Sequence, residues 1–206
     1  MSVLGRLASA LERNDERPNV ELAEALVAKP DRAAIAELAQ ALSTGSVAIQ
    51  NDAVKVLYEI GERNAALVAP HADAFLALLE SRNNRNVWGA MAAIDTIAAA
   101  RPRDVAAHLG DILSAADKGS VIAKDKAMSI LAKLALAGET KAMPALLERL
   151  ASAAVNQFPM YAELALPAVG GHTARFEAIL TGRLKTIKQP AKRARVEKVL
   201  RKLAGA

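Results

Sequence analysis

The 206-residue sequence predicts an all-α protein built from stacked helical hairpins. Apolar residues recur at intervals of three and four along almost the whole chain, which is the period of an amphipathic helix. No stretch alternates apolar and polar residues over several positions, so we expect no strand. Ala and Leu dominate the composition, with 47 and 26 residues against six aromatics, and this disfavours a compact β-sandwich.

An internal repeat of 37 residues organises the middle of the chain. Segments 53–60, 90–97 and 127–134 align at this spacing without gaps. The aligned apolar positions are Val54, Met91 and Met128; Leu57, Ile94 and Leu131; and Ile60, Ile97 and Leu134. Because one hairpin cannot bury its apolar face alone, we expect successive hairpins to stack around a continuous core.

Helix-breaking residues and apolar stripes define the elements in order. The first helix pair carries the stripe of Leu22 and Leu26, then that of Ile35, Leu38 and Leu42, with Pro30 between them. The second, third and fourth pairs each begin with an aligned repeat helix. Gly170 and Gly171 divide the last pair, and the stripe of Val196, Val199, Leu200 and Leu203 forms a closing helix. The predicted pairs span about 3–43, 46–80, 84–117, 120–153 and 157–187, and the capping helix spans 191–203.

The period, the paired helices and the core pattern resemble the HEAT-repeat family within the HEAT/armadillo group. Asp52 and Lys55 are similar to polar positions of that family. The resemblance covers nearly the whole chain, and it implies a right-handed α-α superhelix of about five HEAT-like hairpins in a single domain, 1–206. It also implies a curved scaffold that binds a partner on its concave surface.

The resemblance also indicates which helices line that concave surface. We assign this role to 48–61, 86–99, 121–136 and about 157–168. Trp88 aligns with the polar residues Asn51 and Asp125, so we expect it to be partly exposed and to anchor a partner. The alternative, that Trp88 packs over a gap left by Gly89, stays open. The predicted partner-binding residues are Asn51, Lys55, Tyr58, Arg85, Trp88, Asp95 and Lys126.

The uneven charge distribution supports a second hypothesis, a nucleic-acid-binding module. Residues 183–202 contain nine basic residues and one acidic residue, whereas the rest of the chain contains 18 basic and 21 acidic residues. Basic side chains on the last helix would contact phosphates, or they would only keep the cap soluble. The residues assigned to this alternative are Arg82, Arg85, Lys192, Arg193, Arg195 and Lys198.

The sequence offers no catalytic constellation, cofactor motif or metal site. The absence of cysteine excludes disulfides and thiol chemistry. No phosphate-binding loop, dinucleotide fingerprint or nucleophile elbow occurs, and His71 and His108 lack ligand spacing. HEAT-like DNA glycosylases are similar in size and charge, and Trp88, Asp95, Tyr58 and Arg85 match their site residues in kind, although an aromatic cradle is incomplete. The HEAT-like bilin lyases stay open as a further relative.

These observations favour a non-catalytic scaffold that binds a protein. Nucleic-acid binding and, less strongly, glycosylase activity are the alternatives. No apolar run is long enough to cross a membrane, and the first residues lack the apolar stretch of a secretory signal. The sequence therefore predicts residence in the cytoplasm.

Overall fold

The computed structural model describes residues 2–205, and these residues form helices and turns without any strand. The α-helices are α1 (Arg17–Ala28), α2 (Arg32–Thr44), α3 (Val47–Arg63), α4 (Ala65–Val68), α5 (Ala72–Leu78), α6 (Asn84–Ile97), α7 (Pro102–Ala107), α8 (Leu109–Lys118), α9 (Val121–Leu136), α10 (Ala142–Ser152), α11 (Phe158–Ala165), α12 (Thr173–Leu184) and α13 (Pro190–Ala204). Short 3-10 helices occupy Val3–Arg6, Ala69–His71, Leu166–Ala168 and Gly170–His172. The chain divides into two compact units, and the boundary falls within α9, between Ala127 and Met128.

Several helices begin and end at residues that satisfy their terminal backbone groups. Asp31 accepts hydrogen bonds from the amides of Ala33 and Ala34, and so caps the start of α2. The N-terminus of α6 is capped by Asn83 in the same way. At the end of α9, Gly138 has a φ of +86°, a left-handed conformation that glycine adopts without steric cost.

In the first unit, α1, α3 and α6 form one layer of parallel helices. The direction follows from α3 and α6, where Gly61 faces Thr96 and Gly89 faces Val54. A Cβ at Gly89 would lie 2.8 Å from a Val54 methyl group, so this glycine allows a close approach of the two helices. Helix α2 packs against α3 and α5 and contributes to the second layer.

The apolar positions of the 37-residue repeat form much of the core. All nine aligned side chains, from Val54 to Leu134, are buried, and none is more than 1% exposed. In the first unit they pack with Leu38 and Phe75, which are also fully buried. The periodicity of the sequence therefore locates core residues correctly.

The second unit packs α10, α11, α12 and α13 around two phenylalanines. Phe158 and Phe176 are fully buried, and Val196 of α13 lies in the same core. Arg183 extends over the Phe158 ring at 5.0 Å from its centroid and donates hydrogen bonds to the carbonyls of Ala151 and Ala153. These bonds satisfy carbonyls at the C-terminal end of α10.

The assignment of one domain and the five repeat bounds stay predictions. Within residues 2–205, no helix is both long enough and apolar enough to cross a membrane.

Candidate functional site

A buried polar cluster joins the N-terminal segment to the layer of α1 and α3. Asp52 is 8% exposed, and its carboxylate accepts hydrogen bonds from the Asn19 side chain at 2.8 Å and the Ser9 amide at 2.7 Å. Asn19 is fully buried and accepts a bond from the Ala8 amide at 2.9 Å. Asp52, one of the two residues similar to polar positions of the HEAT-repeat family, therefore links the N-terminal segment to α1 and α3.

An aromatic pair lies at the junction of α3 and α6. The ring centroids of Tyr58 and Trp88 are 6.0 Å apart, and the ring planes are tilted by 51°. Tyr58 is only 8% exposed, whereas Trp88 is half-buried. The Nζ of Lys55 lies 4.7 Å from the Tyr58 centroid, within the range of a cation–π interaction. The Trp88 ring is thus supported on one side by Tyr58 and still reaches solvent.

Ion pairs surround this aromatic pair and connect three helices. Lys55 bonds to Glu59 at 2.6 Å and lies 3.3 Å from Glu16, the residue that precedes α1. The second oxygen of Glu16 accepts a bond from Arg85 at 2.5 Å. Glu59 also pairs with Arg63. We call Glu16, Lys55, Tyr58, Arg85 and Trp88 the Trp88 surface.

Burial and hydrogen bonding shift the pKa of three groups on α3. Burial would lower the pKa of Lys55, but hydrogen bonds to Glu59 and Tyr58 outweigh it and raise the pKa. Burial would raise the pKa of Glu59, yet bonds from Lys55 and Arg63 lower it. Burial of the phenol raises the pKa of Tyr58. Lys55 and Glu59 are therefore both charged at neutral pH.

The remaining predicted partner-binding residues lie in two further polar pairs. Asp95 is 6% exposed and accepts a bond from Lys126 at 3.1 Å. Asp95 follows Trp88 by seven residues on α6, so both lie on the same helix face. Asn51 accepts a bond from Asn83 at 2.9 Å, which links α3 to the start of α6. The structure brings Lys55, Tyr58, Trp88 and Arg85 together and gives Asn51, Asp95 and Lys126 local partners.

No gap beside Gly89 is available for Trp88 to fill. The space next to this buried glycine is taken by Val54. Trp88 instead contacts Tyr58 and remains partly exposed to solvent.

A groove separate from the Trp88 surface runs between α5 and α8 in the first unit. Its volume is about 830 Å³. The floor includes Leu76, Leu79 and Val87, and the rim includes Arg82, which is exposed. Arg82 therefore lines this groove, whereas Arg85 belongs to the Trp88 surface. The two arginines of the nucleic-acid hypothesis thus lie in different features of the first unit.

Three of the six basic residues of α13 bond to other parts of the second unit. Arg193 donates a bond to the Leu184 carbonyl at 2.6 Å and so satisfies the end of α12. Lys192 bonds to Asn156 at 2.5 Å, and Arg195 makes two bonds to Glu163 at 2.9 and 2.6 Å. Lys198, by contrast, is exposed.

Neither histidine of the aligned positions belongs to a metal-like cluster. His108 lies 3.6 Å from Asp111, and burial lowers the pKa of His71. In the described part of the chain, no group of three or more His, Asp or Glu side chains is placed to hold a metal ion.

Comparisons with known proteins identify the fold. A designed armadillo repeat protein, in complex with the peptide (KR)4, is 15% identical with a TM-score of 0.65, and the match covers 97% of this chain and 99% of that one. One engineered protein is 17% identical with a TM-score of 0.63, and the match covers 100% of both chains. Another engineered protein is 16% identical with a TM-score of 0.61, and the match covers 100% of this chain and 98% of that one. No protein-family model and no curated protein matches the chain.

These likenesses confirm the predicted class, an all-α helical-repeat solenoid with the fold of the HEAT/armadillo group. At such low identities they establish the fold alone. Two of these neighbours are engineered proteins, and the third is a designed armadillo repeat protein in complex with a peptide.

Sequence reasoning missed Glu16 and Asn19, two residues on which the site depends. Both lie in the first helix pair, which does not align with the 37-residue repeat, and each bonds to a residue more than 30 positions away. No local pattern indicates such contacts, although Pro18 lies in the first turn of α1, where proline is tolerated.

Proposed function

We propose that this protein is a non-catalytic scaffold that binds a peptide segment of another protein on the Trp88 surface. One observation carries the proposal: Trp88 is the only aromatic side chain within residues 2–205 that is not buried. A rigidly supported and partly exposed Trp offers a large apolar contact at a small cost in conformational entropy, which is typical of binding hot spots.

The charges around Trp88 favour a partner that binds chiefly by apolar contact. Lys55 and Arg85 both bond to carboxylates of this unit, so neither cation requires an external partner. Arg85 and Glu16 keep side-chain exposures of 41% and 44%, which leaves room for additional polar contacts with a partner. Such rim contacts set specificity more than affinity.

A peptide partner also agrees with the structural neighbour that is in complex with (KR)4. That neighbour is a binding protein without a stated enzymatic role, and this supports a non-catalytic scaffold. The glycosylase alternative has less support, because stacking of a flipped base requires several accessible aromatic faces and Tyr58 is buried under Lys55. We propose the cytoplasm, which the sequence predicts, as the place of action.

The test is selection of peptides from a random phage library on the full chain, followed by titration of one synthetic peptide. Since Trp88 is the only Trp, its fluorescence reports directly on this surface. We expect a saturable change in emission with the affinity that labelled-peptide anisotropy gives. Selected peptides that bind without altering Trp88 emission would contradict the proposal.

A further inference from the structure

A groove in the second unit shares no residue with the Trp88 surface. It runs between α11 and α13 and has a volume of about 390 Å³. We call it the α11–α13 groove, and its lining residues are Glu163, Leu166, Arg195, Lys198, Val199 and Lys202.

Three cations of this groove lie on one face of α13. Lys198 and Lys202 follow Arg195 by three and seven residues, a spacing that puts all three on the same side of a helix. Glu163 is the only acidic residue in the lining, so the groove carries a net charge of +2 at neutral pH.

The cations differ in how far their charge is already used. The guanidinium of Arg195 donates hydrogen bonds to both carboxylate oxygens of Glu163. Lys198 and Lys202 are exposed, and neither forms a hydrogen bond or close ion pair with any residue between 2 and 205. Their charges reach Glu163 through space, because they lower its pKa together with the larger effect of the Arg195 bonds. Two ammonium groups therefore remain free to bind an anion.

Two apolar side chains line the same groove as the free ammonium groups. Val199 is 2% exposed, and Leu166 is half-buried on the opposite wall. A ligand that placed a doubly charged group on the lysines would therefore bring its adjoining carbon atoms onto an apolar surface.

The neighbouring cations favour a compact ligand over an extended polyanion. Lys192, which would continue a track along this face of α13, bonds to Asn156 instead, and Arg193 bonds to the Leu184 carbonyl. A nucleic-acid backbone needs a row of available cations, whereas here the free ones in the groove occupy two turns of one helix.

We propose that the α11–α13 groove binds a phosphate monoester, with the dianionic phosphate on Lys198 and Lys202 and the ester group over Leu166 and Val199. Glu163 acts as a built-in competitor, because its carboxylate neutralises Arg195 and repels the anion. Free metabolite esters and phosphorylated side chains share this chemistry.

The probe is phenyl phosphate, titrated into the full chain by calorimetry at pH 8, where the monoester is doubly charged. Lys198→Gln with Lys202→Gln should weaken binding about tenfold, and Lys185→Gln with Lys188→Gln, an equal change in net charge at exposed sites, less than about twofold. Equal losses in both double variants would overturn the proposal, because net charge alone would then explain binding.

A second pair of variants tests the role of Glu163. Glu163→Gln should strengthen binding about threefold or more, since it frees Arg195, whereas Glu197→Gln should change it less than about twofold, because Glu197 pairs with Arg193 instead. Circular dichroism checks that each variant is folded.

Three further ligands separate the sources of the anion. Diphenyl phosphate, a singly charged diester, should bind more weakly than phenyl phosphate, while a phosphoserine peptide that binds through Lys198 and Lys202 would identify a protein source. An oligothymidylate without a terminal phosphate that binds more tightly than phenyl phosphate through the same lysines would overturn the monoester assignment in favour of nucleic acid.

Discussion

The two candidate binding surfaces, one in each unit of the chain, differ in whether their cations are paired with carboxylates. In the first unit, Lys55 and Arg85 both bond to carboxylates around an aromatic pair. In the second unit, Lys198 and Lys202 stand on an exposed helix face without a bonded counter-ion within residues 2–205. Neutralised charges beside an exposed ring favour binding by apolar burial, whereas uncompensated cations favour binding of anions. One helical-repeat chain therefore offers two surfaces with distinct chemistry.

The largest effect should come from the buried carboxylate of the first unit. Asp52→Ala leaves the Ser9 amide and the Asn19 side chain without their acceptor, so we expect a loss of about 3 kcal/mol in the free energy of unfolding. Urea denaturation followed by Trp88 fluorescence measures it. Asp73→Ala, at an exposed carboxylate, is the control and should change stability by less than about 0.5 kcal/mol. Similar values for both variants would show that Asp52 is not a structural residue.

Removal of the exposed ring should have the next largest effect. Trp88→Ala should weaken a selected peptide by about 2 kcal/mol, roughly thirtyfold, because it removes the anchor. Trp88→Phe should retain part of the affinity. Leu136→Ala, which removes an apolar side chain that is 65% exposed, should leave the affinity unchanged. Anisotropy of a labelled peptide distinguishes these results, and equal losses at Trp88 and Leu136 would argue for non-specific apolar binding.

The charge network on α3 makes a smaller contribution, which depends on pH. The pKa of Glu59 is lowered in the folded protein, so its stabilisation is present above its ordinary value of 4.5 and is lost as the pH falls through the folded value. Glu59→Gln should therefore cost about 1 kcal/mol at pH 7, and this cost should shrink as the pH falls below 4.5. Glu62→Gln, at an exposed neighbour, should cost little throughout this pH range. A cost at Glu59 that did not shrink with falling pH would mean that the carboxylate charge is not responsible.

The smallest expected effect is that of salt on binding affinity, which should differ between the two surfaces. Between about 0.05 and 0.5 M NaCl, affinity at the Trp88 surface should change less than about twofold, because its charges are already paired. Affinity of phenyl phosphate for the α11–α13 groove should fall severalfold over the same range. Calorimetric titrations at constant pH provide both values, and an equal salt response would remove the distinction between the surfaces.

The fold could be predicted from the sequence because helical periodicity and the 37-residue repeat can be recognised without knowing which helices pack together. Val54, Met91 and Met128 repeat at 37 residues, and burial of these positions follows from helical periodicity alone. The exposed edge of Trp88 follows equally well from the polar residues aligned with it.

The hydrogen bonds and ion pairs between distant residues could not be predicted from the sequence pattern. Glu16 reaches Arg85 across 69 positions of the chain, so its role depends on how helices pack and not on spacing. Arg193 is among the residues that the sequence assigns to nucleic-acid binding, yet it bonds to the Leu184 carbonyl because the end of α12 leaves acceptors unsatisfied.

Photo-cross-linking of a selected peptide is the most direct test of the central claim that the Trp88 surface binds the partner. The peptide would carry a benzophenone side chain, and mass spectrometry would locate the adducts on the full chain. We predict adducts within α3 and α6, close to Lys55, Arg85 and Trp88. Adducts confined to the groove between α5 and α8, beside Arg82 and Lys118, would contradict the account.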